Sequence, residues 1–428
     1  MKVLIIGSGG REHALAWKIR KSPHVTWVGC APGNGGTTAV AENVQLDTSD
    51  PDAVVKYVVD NEIGLTVIGP EAPLADGIVD AFPNDGQHFV FGPGAGAAKL
   101  EASKRWAKEV MASAGVPTAR WRGFTDADEA IQYLKRRNEP VVVKASGLAA
   151  GKGVYVCNSA EAAVEAVKAI MVDRTYGDSG AEIIIEERLV GTEASLIAVC
   201  DGTDHLVLVP SRDHKRVGEG DTGPNTGGMG AIAPNPALSA ETVKLCSETI
   251  IAPILRELKA DGTPYKGVLY AGIMLTEDGP KVLEYNVRFG DPETQVVLPL
   301  LKVDLVDLML LAVGEKLGEF MQQFNLHSED WQSVTETKHC ATVVLASQGY
   351  PGSYEKGKPI SGLPKEQEDL VVFHAGTKAG EGGVVTSGGR VLNVTALGDT
   401  LEDALSKAYA AADQIQFDGK MLRRDIGK

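Results

Sequence analysis

The chain has 428 residues, enough for roughly two to four domains with sizeable cores. Its formal charge of −15 at pH 7 argues against a nucleic-acid partner, which wants a basic face, although a local cationic pocket can still take small anions. No apolar run approaches a membrane span, the run 1–6 breaks at Gly7 short of signal-peptide length, and the five cysteines form no C-x-x-C pair, so buried reduced thiols in a cytoplasmic protein are expected.

Residues 2–6 are predicted as a buried strand, 13–21 as a helix, 25–30 as a strand, 51–61 as a helix, and 65–68 and 89–91 as strands. Strands alternating with helices imply a parallel, doubly wound sheet. Gly7-Ser8-Gly9-Gly10 lies between the first strand and the first helix, where backbone N–H groups can hold a phosphate. The dinucleotide pattern G-x-G-x-x-G fails, because Glu12 stands at its last position. The second strand also runs into Ala31-Pro32-Gly33-Asn34, with no acidic residue for a ribose. A phosphate ester or sugar phosphate therefore fits better than NAD, and a plain tight turn is the other reading.

A helix over 99–114 leaves this domain and ends at Gly115-Val116-Pro117, and 127–137 is a further helix. Residues 117–190 read as a small α/β lobe. A strand over 141–145 delivers Lys144, and Gly147-Leu148-Ala149-Ala150-Gly151-Lys152-Gly153 joins it to a strand over 154–157. A Walker loop would need Ser or Thr after Lys152 and would lead into a helix. Gly153 and a strand follow instead, which suits a flexible cover over phosphates; an ordinary glycine-rich hairpin is the blander reading. A strand over 182–187 and a hinge at 188–191 close the lobe. Glu186, Glu187 and Glu193 flank that hinge, where exposed charges are the simpler reading and nucleotide contacts the sharper one.

From 192 to 315 strands and helices mix, over 195–200, 206–210, 240–258, 268–275, 281–285 and 305–313. Arg212-Asp213-His214-Lys215-Arg216 is a basic cluster in an acidic chain, followed by a glycine-rich stretch over 218–230. A long ordered loop beside charges is usually functional. Glu284, Asn286 and Arg288 share one strand face, because side chains alternate with period two. Oxygen ligands with no Cys or His nearby point to Mg²⁺ rather than zinc. A solvent-facing strand would alternate in the same way, and Arg288 could instead pair structurally with Asp291 or Glu293. Lysines, a glycine cover, two oxygen ligands and an arginine together make a phosphoryl-transfer kit. Residues 318–333 read as a polar connection. Strands near 341–345 and 391–396 and a helix over 401–414 make the last region an α+β module.

These residues resemble the glycinamide ribonucleotide synthetase (phosphoribosylamine–glycine ligase) family of ATP-grasp ligases in purine biosynthesis, over essentially the whole chain. The resemblance rests on Gly7-Ser8-Gly9-Gly10-Arg11-Glu12-His13-Ala14, the loop 147–153 and Asp213-His214-Lys215-Arg216. It continues through Asp221-Thr222-Gly223-Pro224-Asn225-Thr226-Gly227-Gly228-Met229-Gly230, Arg288-Phe289-Gly290-Asp291-Pro292-Glu293-Thr294-Gln295 and His374-Ala375-Gly376-Thr377. One departure is Ser146, where the family usually has Asp; serine can still hydrogen-bond its own turn.

The resemblance implies a doubly wound N-terminal α/β domain over 1–102 and a two-lobed ATP-grasp fold over 103–325, with its small lobe at 117–190. An α+β C-terminal module over 326–428 completes the fold. The implied activity joins glycine to 5-phosphoribosylamine through glycyl phosphate, giving glycinamide ribonucleotide, ADP and phosphate. By the same resemblance, Lys104 and Lys144 meet ATP phosphates, and the loop 147–153 covers them, with Gly147, Gly151, Lys152 and Gly153 binding ATP. Glu186 and the backbone of Glu187 to Leu189 hold adenine, and Glu193 the ribose. Glu284 and Asn286 bind Mg²⁺, or Mn²⁺ in its place. Arg288 stabilises the transferring phosphoryl group, with Asp213 and Lys215 over the acyl phosphate. Gly9, Gly10, Arg11, Asp291, Pro292, Glu293 and Thr294 face the substrates. A cytoplasmic monomer is expected. A different ATP-grasp ligase would share the ATP site and use another acid. A non-catalytic nucleotide binder is opposed by the intact Glu284, Asn286 and Arg288.

Overall fold

The computed structural model describes residues 1–428 apart from Asn138 and Ala150; Ala150, inside the predicted cover loop, therefore lies outside the described residues. The apolar run Val3-Leu4-Ile5-Ile6 has no exposed surface, as expected of a central parallel strand covered on both faces. Its strand, Lys2–Gly7, pairs in parallel with Trp27–Pro32 on one side and Leu65–Ile68 on the other. Glu42–Asn43 and Phe89–Phe91 form the edges of this five-stranded sheet. The chain thus winds outward from the first strand in both directions, which confirms the doubly wound reading. Asp50 starts the helix Pro51–Asp60 by accepting from the N–H groups of Asp52 and Ala53, with Pro51 preset at the first helical position.

Several element boundaries differ from the sequence reading. The first helix is Gly10–Ile19 and the second strand begins at Trp27, each shifted by about one turn or less from the apolar pattern. The predicted helix over 99–114 is two helices, Ala95–Ala102 and Lys104–Ser113. Ser103 between them is extended, and its hydroxyl caps the second by accepting from Trp106 N. The connection over 318–333 contains the helix Leu317–Gln323 and a 3₁₀ turn, Trp331–Val334, whose terminal residues are both buried.

The small lobe is a four-stranded antiparallel sheet ordered Trp121–Phe124, Ile183–Glu187, Val141–Ala145 and Val154–Cys157. It has its own core, built from Phe124, Leu134, Val143, Ile170 and Ile185 among others. Thr192–Asp201, Lys266–Thr276, Gly279–Asn286 and His205–Val207 form the sheet of the large lobe. The remaining large sheet does not follow chain order. Arg212–Asp213 and Gly230–Ala233, from the middle of the chain, extend the C-terminal strands His339–Ser347, Arg390–Gly398 and Leu370–His374. The ATP-grasp and C-terminal units read from sequence therefore share a sheet.

The C-terminal region also packs on the first helix. His374 N donates to Nδ1 of buried His13 at 2.9 Å, which requires that nitrogen to be unprotonated. Burial, with the neighbouring His374 second, lowers the pKa of His13 to about 3, and burial lowers that of His374 to about 4. Unfolded, both rings titrate near about 6.5. A depressed folded pKa leaves the stability intact above that value and removes it as pH falls towards 4. Melting temperature should thus drop progressively between pH 7 and pH 5, by an amount that His374→Gln reduces. An equal slope in the variant would place the acid sensitivity elsewhere.

Candidate active site

The three regions converge on a cleft of about 640 Å³. The break at Ser103 sets Lys104 at the start of a helix facing it, where Lys104 N donates to Ser146 O and Nζ reaches Gly147 O at 3.2 Å. Ser146 Oγ accepts from Arg105 N, so the hydroxyl serves a helix start rather than its own turn. An oxygen acceptor is all that contact needs, which makes serine in place of aspartate tolerable.

The strand Val141–Ala145 delivers Lys144 to the cleft floor. Its Nζ lies 2.8 Å from Glu186 Oε2 and donates to Leu283 O at 3.0 Å. Glu186 is only 2 % exposed, and its other oxygen is 2.7 Å from Lys108, so one carboxylate is shared by two lysines. Burial alone would raise the pKa of Glu186, but Lys144 and Lys108 hold it below the usual carboxylate value. Burial lowers that of Lys108 to about 8 against the pull of Glu186. The reading of the hinge charges as exposed is thus corrected at Glu186. Its carboxylate orients Lys144, and Glu186 also lines the cleft. The Glu187 carboxylate turns to Arg120, and Glu193 pairs with Lys215 at 3.1 Å. Glu187, Leu189 and Glu193 still line the cleft.

The loop 147–153 is a hairpin connection between two antiparallel strands, as the sequence suggested. Its base is tied down: Gly147 N donates to Ser179 O, Ser179 Oγ to Leu148 O, and Tyr176 OH to Lys152 O. A Cβ on Gly147 would sit 2.6 Å from the Ser179 backbone, so glycine is required there by close approach. Gly151 and Gly153 line the cleft, whereas Lys152 is solvent-exposed and does not.

On the opposite wall, the strand Gly279–Asn286 presents Glu284 and Asn286 to the cleft; Arg288 follows just beyond the strand end and faces the same space. Burial would raise the pKa of Glu284, but Lys215, Lys144, Lys104 and Arg288 keep it low and the group ionised. Among the described residues no group of three or more His, Cys, Asp and Glu side chains is arranged to hold a metal. A Mg²⁺ that shares its shell with phosphates and water needs only one or two carboxylates, so an ionised Glu284 beside the Asn286 oxygen fits.

Arg288 is paired, but not with the residues expected from its neighbourhood in sequence. Nε donates to Glu71 at 3.2 Å, and Nη2 to Glu101 at 2.8 Å and to Asn286 Oδ1 at 3.2 Å. Asp291 instead meets Arg390 and Gln295, and Glu293 accepts from Tyr270 OH at 2.7 Å and Ser195 Oγ at 3.2 Å. Asp213 and Lys215 both line the cleft. Burial and the Glu293 charge push the Asp213 carboxyl well above its usual range. Glu193 raises the pKa of Lys215.

Of the residues expected to face substrates, Arg11, Asp291 and Glu293 line the cleft. Gly9, Gly10, Pro292 and Thr294 are placed otherwise. The Gly9 N–H, expected to hold a phosphate, is taken by the Glu12 carboxylate. A Cβ on Gly10 would strike Asn393 and Gln295, so that helix start is packed against the rest of the protein. Pro292 abuts Gly228, and Thr294 is fully buried. Sequence reasoning missed Glu71, Glu101, Lys108, Tyr270 and Arg390. Gly69-Pro70-Glu71 was findable, because it follows the carboxyl end of a parallel strand, where ligands bind in such sheets. Arg390 carries no local signal.

Comparison with known proteins matches residues 1–101 to the phosphoribosylglycinamide synthetase N domain, 102–294 to its ATP-grasp (A) domain and 340–428 to its C domain. The chain belongs to the phosphoribosylglycinamide synthetase family. Phosphoribosylamine--glycine ligase of Rhodopirellula baltica is 49 % identical, over 99 % of this chain and 96 % of the relative. The crystal structure of phosphoribosylamine--glycine ligase from Thermotoga maritima superposes with a TM-score of 0.82 at 34 % identity, covering 100 % of both chains. A biotin carboxylase domain from Hydrogenobacter thermophilus shares the fold at 17 % identity, with a TM-score of 0.72 over 98 % of this chain and 91 % of that one. The ATP-grasp reading of the central region is therefore confirmed.

Proposed function

We propose that the chain ligates glycine to 5-phosphoribosylamine at the expense of ATP, giving glycinamide ribonucleotide, ADP and phosphate. The observation that carries this reading is the meeting of Lys104 and Lys144 with Glu284, Asn286 and Arg288 across one cleft, in a chain that matches the ligase family from end to end. The small-lobe wall, with the loop 147–153 above it and the backbone of 187–189 behind, takes the nucleotide. Lys104 and Lys144 neutralise its phosphates, and Glu186 and Lys108 keep Lys144 aimed. Glu284 and Asn286 would hold Mg²⁺ (or Mn²⁺), which when bound would neutralise phosphate oxygens and polarise the transferring group.

The glycine carboxylate attacks the γ-phosphorus; the new O–P bond forms as the bond to the β-phosphate oxygen breaks and ADP leaves. Arg288, permanently charged, faces the negative charge on the phosphoryl oxygens. The phosphoribosylamine nitrogen then attacks the acyl carbon, the C–O bond to phosphate breaks, and the nitrogen gives up a proton. Arg11, Asp213, Lys215, Asp291 and Glu293 surround the substrates on this wall. No side-chain nucleophile is needed, because proximity and preorganised charge supply the rate. One chain brings every wall of the cleft together, which supports a monomer as the working unit. The five unpaired, buried cysteines suit a reducing cytoplasm.

The test is ADP formation with ATP, glycine and freshly made phosphoribosylamine, each omitted in turn. Turnover that needs all three is expected. ADP release indifferent to glycine, or supported equally by formate or bicarbonate, would overturn the assignment.

The cover loop gives a second expectation. Its exposed tip should close over phosphates, since lids are drawn from weakly held segments. Hydrogen exchange in peptides spanning 145–155 should slow when ATP and Mg²⁺ are added, while the base near 176–179 changes less. Equal exchange with and without nucleotide would count against a lid.

A further inference from the structure

We infer that the segment 423–427 is a strap that sets the position of the substrate wall, with Arg423 as its positioning residue. The inference rests on the ligase reading for what the wall does, but not for how it is held. Asp213, Lys215, Arg216, Asn225 and Thr226 reach the cleft from one stretch of chain. Much of that stretch is a two-stranded hairpin, Arg216–Gly218 with Thr222–Asn225, whose glycines and half-exposed residues give it little core of its own. An isolated two-stranded hairpin is marginal in water. Something else must hold it in register with the cleft.

Tyr350 and Arg390 hold its exit at Gly227, and the rest of the hold comes from the far end of the chain. Arg423 is 2 % exposed, although it bears a charge. Its Nη1 donates to Arg216 O at 3.0 Å and to Asp221 Oδ1 at 2.9 Å, gripping the hairpin at its first strand and its turn. Asp425 takes the remaining donors, Nε at 2.7 Å and Nη2 at 2.8 Å, in the two-pronged manner that fixes a guanidinium plane. Asp425 also accepts from Gly220 N at 2.7 Å, and Glu219 accepts from Arg424 N at 3.0 Å. Gly427 N donates to His214 Nε2, between the cleft residues Asp213 and Lys215. The contacts run along the stretch from His214 to Asp221 and are made by charged or backbone groups rather than by packing. Such bonds fix direction more than they bury surface. The nucleotide wall, built from Lys104, Lys144 and Glu186, takes no part in them.

The experiment compares Arg423→Gln, Arg423→Lys and Asp221→Gly with the parent. Asp221 is 73 % exposed at its side chain and has a φ of +53°, so glycine fits the backbone and the variant folds. Arg423→Gln should raise KM for glycine and for phosphoribosylamine by about tenfold or more, as for loss of a substrate-positioning contact. ATP affinity, measured by calorimetry, should stay within about twofold. Arg423→Lys should recover part of the loss, and Arg423→Gln should cost less in an Asp221→Gly background than alone. Hydrogen exchange over 216–225 should rise in Arg423→Gln whatever the substrate proves to be, which separates failure of the strap from failure of the ligase reading. Parental KM values with only a lower melting temperature would make Arg423 a structural clip and overturn the inference. So would an equal loss of ATP affinity, or unchanged exchange over 216–225.

Discussion

Arg288→Lys is expected to lower kcat by about two or more orders of magnitude while ATP binding changes little, as for loss of other preorganised charge donors. The guanidinium spans Glu71, Glu101, Asn286 Oδ1 and the Phe289 carbonyl at once, which fixes its plane at the edge of the cleft. A lysine ammonium is a single point and cannot meet both carboxylates and keep that plane. Glu101, 9 % exposed, would be left with a poorly compensated charge, so some stability should go as well. Stability and catalysis are separated by Glu101→Gln, which keeps the arginine but weakens its support. That variant should lose melting temperature with a much smaller drop in kcat. If folded Arg288→Lys turns over at the parental single-turnover rate, the arginine is structural and its catalytic role fails.

Glu284→Gln should raise the Mg²⁺ concentration needed for half-maximal turnover by at least about tenfold, since even indirect partners of metal ligands cost about 10–100-fold in affinity. The amide keeps the shape and removes the charge that Lys215, Lys144 and Lys104 sustain. Asn286→Asp should be milder, because an oxygen ligand survives. Mn²⁺ binding measured in the presence of ADP gives a readout independent of turnover. A parental titration in the Glu284 variant would place the metal elsewhere.

The parts of the fold legible in sequence were those with a local cause. Val3 to Ile6 reads as a buried strand because a covered parallel strand is apolar on both faces. Glu284, Asn286 and Arg288 could be grouped because period-two alternation carries them to one side. The helix break at Ser103 was hidden, since it uses no Gly or Pro, only a capping hydroxyl. Partner choice was hidden more deeply. Arg288 finds Glu71 and Glu101 more than 180 residues away in sequence, and Glu186 finds Lys108 on a helix outside the small lobe. No local pattern encodes such pairs. The same holds for Gly9 and Gly10, whose glycines read as a phosphate turn but are demanded by Glu12, Asn393 and Gln295 pressing on them.

The most direct test of the account follows an oxygen atom. Glycine labelled with ¹⁸O in its carboxylate is turned over with ATP and phosphoribosylamine, and the released phosphate is analysed by mass. Attack of the carboxylate on the γ-phosphorus, followed by amine capture, must leave one carboxylate oxygen on each phosphate, in step with amide formed. One ¹⁸O per phosphate is the predicted result. Unlabelled phosphate, or phosphate whose extra oxygen comes from water, would contradict ligation through an acyl phosphate.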